Sequence, residues 1–215
     1  MNREDALRSY HRLRIDRARE AFERRGFTTH GFESAEEAAE FFFSELGSAE
    51  IVGYGGSDTV REIGILDRLK SGDYQFLDRS VFGSTYEEQL GIRRKTLSAD
   101  VLVASSNAVS LQGALVNTDG EGNRVAALSF GPRRVYLFIG RNKLCDDLAG
   151  AMRRARDVAC IGLAIRLERE TPCVKTGVCA DCASPDRICS YTSIIEHSEP
   201  PGRLHLLFIN EDLGL

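Results

Sequence analysis

Apolar residues recur at Leu7, Tyr10, Leu13, Ile15, Ala18 and Phe22. This approximate helical face predicts a helix over residues 1–25, ended by Gly26. A short extended piece, FTTHGF, follows, and Ser34 with Glu37 has the spacing of a capping box for a helix through AEEAAEFFFSEL. From Glu50 to Arg79 the rhythm changes. Ile51 and Val52 lead as a strand into a glycine turn, Thr59 and Glu62 read as a second capping box, and Tyr74 to Leu77 are extended. Strand, turn, helix and strand make a βαβ unit, and such units build parallel sheets.

Further along, the pattern predicts a helix from about Ser84 to Leu97, then the apolar strand DVLVASS. LVNTDGEGNRVAALSF reads as two strands joined by a polar, glycine-rich turn, and RVYLFIG as another strand. A long helix is expected from about Asp146 to Arg166, and RLHLLFIN can return to the sheet. The expected architecture is α/β, a mostly parallel sheet flanked by helices. It forms one domain over residues 1–215 with a cysteine-bearing excursion at 173–189.

A chain of 215 residues buries a core without disulfide staples. Its net charge of −4 gives no bulk electrostatic reason to bind nucleic acid or anionic membrane. The basic runs RRKT and MRRAR lie in amphipathic stretches and read as solvated helix faces. The charged N-terminal stretch carries no signal-like apolar run, and no stretch is long enough to span a bilayer. A cytoplasmic location is the expectation, and with it a reducing environment that disfavours disulfides.

That expectation sharpens the question of the cysteines. Cys173, Cys179, Cys182 and Cys189 form C-x5-C-x2-C-x6-C within one loop. Four thiolates can complete the shell of Zn²⁺ or bind a [4Fe–4S] cluster, and spacing alone does not separate the two. The pattern matches neither the common zinc templates nor the bacterial ferredoxin run. The plainer alternative is unliganded thiols or one redox-reactive pair. Cys145 and Cys160 stand apart and read as small buried hydrophobes.

Two polar segments follow expected strands. In GYGGSDT, Gly53, Gly55 and Gly56 allow an anion close to the backbone, with Ser57 at the start of a helix. A tight βα turn capped by Ser57, Asp58 or Thr59 explains the same residues, and neither the dinucleotide fingerprint nor the P-loop is present. In the second segment, Ser105, Ser106 and Asn107 lie beyond VLVA, with Asn117 and Asp119 near if the next turn folds back. Ligands collect beyond the carboxyl ends of strands in such sheets, although ordinary turn chemistry also favours these residues. His11, His30, His197 and His205 fall outside these motifs, and no catalytic residue is assigned.

Together VGYGGSDT, SSNAVSLQGALVNTDGEGNRVAALSFGP, IGRNKL and TPCVKTGVCADCASPDRIC, closing on EDLGL, strongly resemble the LUD domain family, named for lactate utilisation. The resemblance covers nearly the whole chain. It implies a fold similar to sugar-phosphate isomerases, acyl-CoA transferases and formyltetrahydrofolate cyclo-ligase, with the site at the strands' carboxyl ends. A small anionic metabolite would be held by Gly53, Gly55, Gly56, Ser57, Ser106, Asn107, Asn117 and Asp119. The implied role is as a component of 2-hydroxy acid (lactate-type) oxidation beside iron–sulfur partner proteins, with electrons relayed through a cluster on the four cysteines. The alternative is a non-redox assembly or regulatory protein with a structural zinc loop and a metabolite-binding cleft. Gln112 departs from many members of the family, which place an acidic residue there, so acyl transfer through a carboxylate at this position is not expected. The cleft is expected elsewhere on the domain than the cysteine loop. Were the two to touch, Lys175 and Arg187 would add positive charge around a bound acid.

Overall fold

The segments read as apolar strands lie side by side in the computed structural model, which describes residues 1–79 and 84–215. Its strands are β1 (Thr28–Phe32), β2 (Ile51–Tyr54), β3 (Gln75–Leu77), β4 (Val101–Ala104), β5 (Ala108–Ser110), β6 (Ala114–Asp119), β7 (Arg134–Gly140), β8 (Leu144–Cys145), β9 (Tyr191–Ile195) and β10 (Leu204–Ile209). The helices are α1 (Arg3–Glu23), α2 (Ala35–Glu45), α3 (Asp58–Glu62), α4 (Ile65–Ser71), α5 (Tyr86–Thr96), α6 (Asn123–Ser129), α7 (Leu148–Arg154), α8 (Ile161–Arg166) and α9 (Pro172–Thr176).

The larger sheet runs β1-β10-β7-β4-β2-β3, every pair parallel. Its central strands are unbroken apolar runs because helices cover both faces. Along β4, Leu102 packs with Ile15 and Phe22 of α1, while Val101 and Val103 face Phe42 of α2 and Ile65 of α4. A smaller sheet, β8-β5-β6-β9, stands beside the carboxyl ends of β4 and β7. The expected parallel sheet with flanking helices is therefore present, with a second sheet in addition.

Several local expectations change. LVNTDGEGNRVAALSF is one strand followed by a helix: Gly122 takes the left-handed conformation (φ 79°), and the Asp119 carboxylate accepts from Val125 N at 2.8 Å as α6 begins. Gly64 (φ 75°) breaks VREIGILDRLK into α3 and α4. The cap of α3 is Ser57, which accepts from Val60 N at 3.3 Å, not Thr59 with Glu62; Glu62 instead accepts from Gly214 N at 2.7 Å. Ser34 does cap α2, but Glu37 closes back on Glu33 N. Thr85 and Glu88 form a complete capping box on α5. The long helix runs from Leu148 to Arg166, with a π-helical segment at Ala155–Cys160 joining α7 to α8.

Candidate functional site

Four adjacent parallel strands end at one place, and the residues just beyond each end form a cleft of about 550 Å³. Beyond β3 comes Arg79, beyond β2 Gly55 to Ser57, beyond β4 Ser105 to Asn107, and beyond β7 Lys143 on a short 3₁₀ turn. The small sheet contributes Thr118 and Asp119 from the end of β6, and α6 contributes Arg124. Leu163 and Leu215 supply an apolar wall.

Arg124 organises the floor. Its guanidinium donates to Asp119 Oδ1 (2.7 Å from Nη2), to the Ser105 and Thr118 carbonyls (3.0 and 3.1 Å) and to Asn107 Oδ1 (2.5 Å). Asp119 accepts from Val125 N through its other oxygen, and both charged side chains are more than nine-tenths buried. Asp119 is therefore committed to Arg124 and α6, and is no free nucleophile. Asn107 also accepts from Thr118 N at 2.8 Å, and the Ser106 hydroxyl donates to Ala108 O at 2.9 Å. Both line the cleft and spend these groups holding the turn from β4 into β5.

Of the residues expected to hold a ligand, Gly55, Gly56, Ser57, Ser106, Asn107 and Asp119 reach the cleft, and Gly53 and Asn117 do not line it. Gly53 lies within β2, where a Cβ would approach Thr96 Cγ2 to 2.5 Å; this glycine serves packing against α5. Asn117 is fully buried inside β6, with neither side-chain polar atom partnered among the described residues. Helix α3 has only five residues, too few to supply the helix-terminus field expected at Ser57. Gln112, where the family pattern departs, lies outside the cleft and is exposed.

The side chains that suit an anion were missed in the sequence. Arg79 sits against Gly56, whose φ of 79° and missing Cβ make room for it, and its guanidinium lies 5.4 Å from the Tyr54 ring centroid. Burial and then neighbouring Arg93 lower its pKa, and no carboxylate among the described residues forms an ion pair with it. The Nε atoms of Arg93 and Arg169, also in the lining, are enclosed without an acceptor among the described residues. Among the described residues, eight Arg and Lys side chains line the cleft against four Asp and Glu, in a chain whose overall charge is −4. Such a surface concentrates anions.

Lys143 is 3% exposed. Its Nζ donates to Thr59 Oγ1 at 2.7 Å and to Ser105 Oγ at 2.9 Å. Burial, then Arg154 and Arg124, push its pKa down to about 7. The signal for both Lys143 and Arg79 was position: each follows an apolar strand of a parallel sheet, where ligands gather.

The cysteine loop adjoins this cleft rather than lying apart from it: Pro185, Asp186, Arg187 and Ile188 line it, while Lys175 is exposed elsewhere. Arg187 donates to Cys182 O at 2.7 Å and Cys189 O at 3.2 Å, holding the loop's shape. All four loop thiols are free and half-buried. Their chemistry suits Zn²⁺ or a [4Fe–4S] cluster, but their arrangement does not: among the described residues no three His, Cys, Asp or Glu side chains converge as metal ligands. Among the described residues no helix is long and apolar enough to cross a membrane.

A family model described as LUD domain matches residues 15–209. Among solved structures, the chain is similar to that of a DUF162 family protein from Deinococcus radiodurans, with a TM-score of 0.52 and 12% identity, covering 94% of this chain and 98% of that one. That likeness concerns the fold. No curated protein matches the chain.

Proposed function

This chain belongs to the LUD domain family, and we propose that its cleft binds a small carboxylate of the 2-hydroxy or 2-oxo acid class, as a component of lactate-type oxidation. The family's link to lactate utilisation gives the coarse role. The observation that carries the finer reading is Arg79, half-buried against Gly56 and in no ion pair with a carboxylate among the described residues, with only the more distant pull of Glu121 and Asp119 on its charge. Partly desolvating a guanidinium that no carboxylate pairs directly is costly, and a ligand carboxylate would supply two acceptors matched to its planar donors. The apolar wall at Leu163 and Leu215 suits a short hydrocarbon end.

The four-cysteine loop enters this proposal as a metal site only in a rearranged form, since its thiols must close up before they can share Zn²⁺ or a cluster. Electron relay to iron–sulfur partners would need that rearrangement first.

The test is titration calorimetry with lactate and pyruvate against glycerol, which has hydroxyls but no carboxylate. Both acids should bind and glycerol should not. Arg79→Met should weaken the acids by roughly 10- to 100-fold, the size of one charge-assisted hydrogen-bonding group. Equal binding of glycerol, or unchanged affinity in the variant, would sink the reading.

A further inference from the structure

We propose that Lys143 is an amine nucleophile that condenses with the carbonyl carbon of a 2-oxo acid held in the cleft. The inference rests on the reading that the cleft takes a small acid, and it adds a covalent step to that reading.

The chain has four lysines, and Lys70, Lys95 and Lys175 are all exposed. The other cationic groups lining the cleft are arginines, which stay protonated and offer no lone pair. Among the described residues of the cleft, Lys143 is the one cation that can become a nucleophile.

Its hydrogen bonds favour that role. The Thr59 hydroxyl donates to Leu213 O at 3.4 Å and the Ser105 hydroxyl to Ser106 O at 3.3 Å. Each hydroxyl oxygen is thus left to accept an N–H from Lys143 Nζ. Two bonds to hydroxyls satisfy both N–H groups of a neutral amine and leave its fourth tetrahedral position for the lone pair. A buried lysine kept charged would call for a carboxylate; none forms an ion pair with Lys143 among the described residues, and burial, Arg154 and Arg124 favour the neutral form against the smaller opposing pull of Glu62 and Asp58. Amine and arginines in one cleft together select a ligand bearing both a carbonyl and an anionic group.

The chemistry balances without an oxidant. The Nζ lone pair forms a bond to C2 as the carbonyl π electrons move to oxygen, and the nitrogen's surplus proton passes to that oxygen, giving a carbinolamine. The nitrogen lone pair then forms the C=N bond as the hydroxyl leaves, the remaining N–H proton going with it as water, and hydrolysis reverses the step.

The experiment incubates the full chain with pyruvate and cyanoborohydride, which reduces the imine to a stable amine, and maps the adduct by peptide mass spectrometry. Binding of pyruvate is measured separately by calorimetry. The expected result is an adduct on Lys143 in roughly tenfold or greater excess over each exposed lysine, because far more of the Lys143 amine is neutral at pH 7. Lactate, lacking the carbonyl, should give none, and Lys143→Met should abolish trapping. Circular dichroism reports whether that variant folds, and if it does not, the wild-type map still decides. Binding of pyruvate with no adduct on Lys143, or an adduct spread over the exposed lysines, overturns the covalent step and leaves the binding proposal standing. Neither binding nor adduct overturns both.

Discussion

At the scale of single residues, the cleft depends on two buried cations with opposite designs. Arg124 is paired, and every neighbour it holds is part of the fold. Removing one partner of a buried pair leaves the other charge stranded, at a cost of about 3–5 kcal/mol. Arg124→Met should therefore lower stability by that order in urea unfolding, and adding Asp119→Leu should restore much of the loss. Lys143 forms no ion pair with a carboxylate among the described residues, and it stores a penalty. Its folded pKa of about 7 lies below the ordinary 10.5. Between those values the unfolded chain carries a proton that the folded one has shed, so stability rises with pH across this window. The penalty is complete below about pH 7. Wild type should thus gain stability relative to Lys143→Met between about pH 6.5 and about pH 9.5 in urea unfolding. A constant difference between the two would mean that Lys143 stays charged in the fold.

At the scale of elements, legibility followed the number of constraints on each segment. VLVA and RVYLFIG could be read as strands because helices on both faces demand unbroken apolar runs. NTDGEGN carries the turn residues of a hairpin, and only the closure of Asp119 on Arg124 and Val125 makes the chain wind into α6 instead. Thr59 looked like a cap, but its hydroxyl is needed by Lys143, and Ser57 takes the cap. The pairing of β1 with β10 hides a further property. His205 of β10 stacks on Tyr136 with ring centroids 4.6 Å apart and lies parallel to His30 of β1 at 6.4 Å. Burial first, then His30 and Arg134, push its pKa down to about 4, against the opposing pull of Glu45 and a Gly202 backbone bond. A folded pKa below the ordinary 6.5 means that stability is held above that value and lost as pH falls toward 4. His205→Phe should keep the ring stacking and flatten the acid limb of thermal unfolding followed from about pH 7 to about pH 4. An unchanged acid limb would place the loss elsewhere.

At the scale of the whole molecule, the cleft joins parts that sequence reading kept separate. The carboxyl ends of β3, β2, β4 and β7 supply one side, and the cysteine loop's Pro185–Ile188 segment supplies another. This convergence was not legible. Arg79 and Lys143 each look like ordinary surface charge in a chain with 28 Lys and Arg residues, and the sheet order brings them together, while Arg187 could be expected there only if the cysteine loop touched the cleft. Arg187 lines the cleft and holds the carbonyls of Cys182 and Cys189, so a ligand that contacts its guanidinium should also steady those two residues. Thiol labelling reads this directly. Without ligand, the half-buried thiols of Cys173, Cys179, Cys182 and Cys189 should react readily with an aromatic disulfide reagent. Cys160 should react only on unfolding, since it is buried and its pKa is pushed up to about 12, by burial first and by Cys189 second. Saturating pyruvate should slow Cys182 and Cys189, the two residues Arg187 spans, and leave Cys173 unaffected. Equal slowing of all four would instead point to a general tightening of the loop, and no slowing would mean that Arg187 does not reach the ligand. Arg187→Met separates these outcomes, because it should abolish the protection of Cys182 and Cys189 while leaving the Arg79 contact with the acid in place.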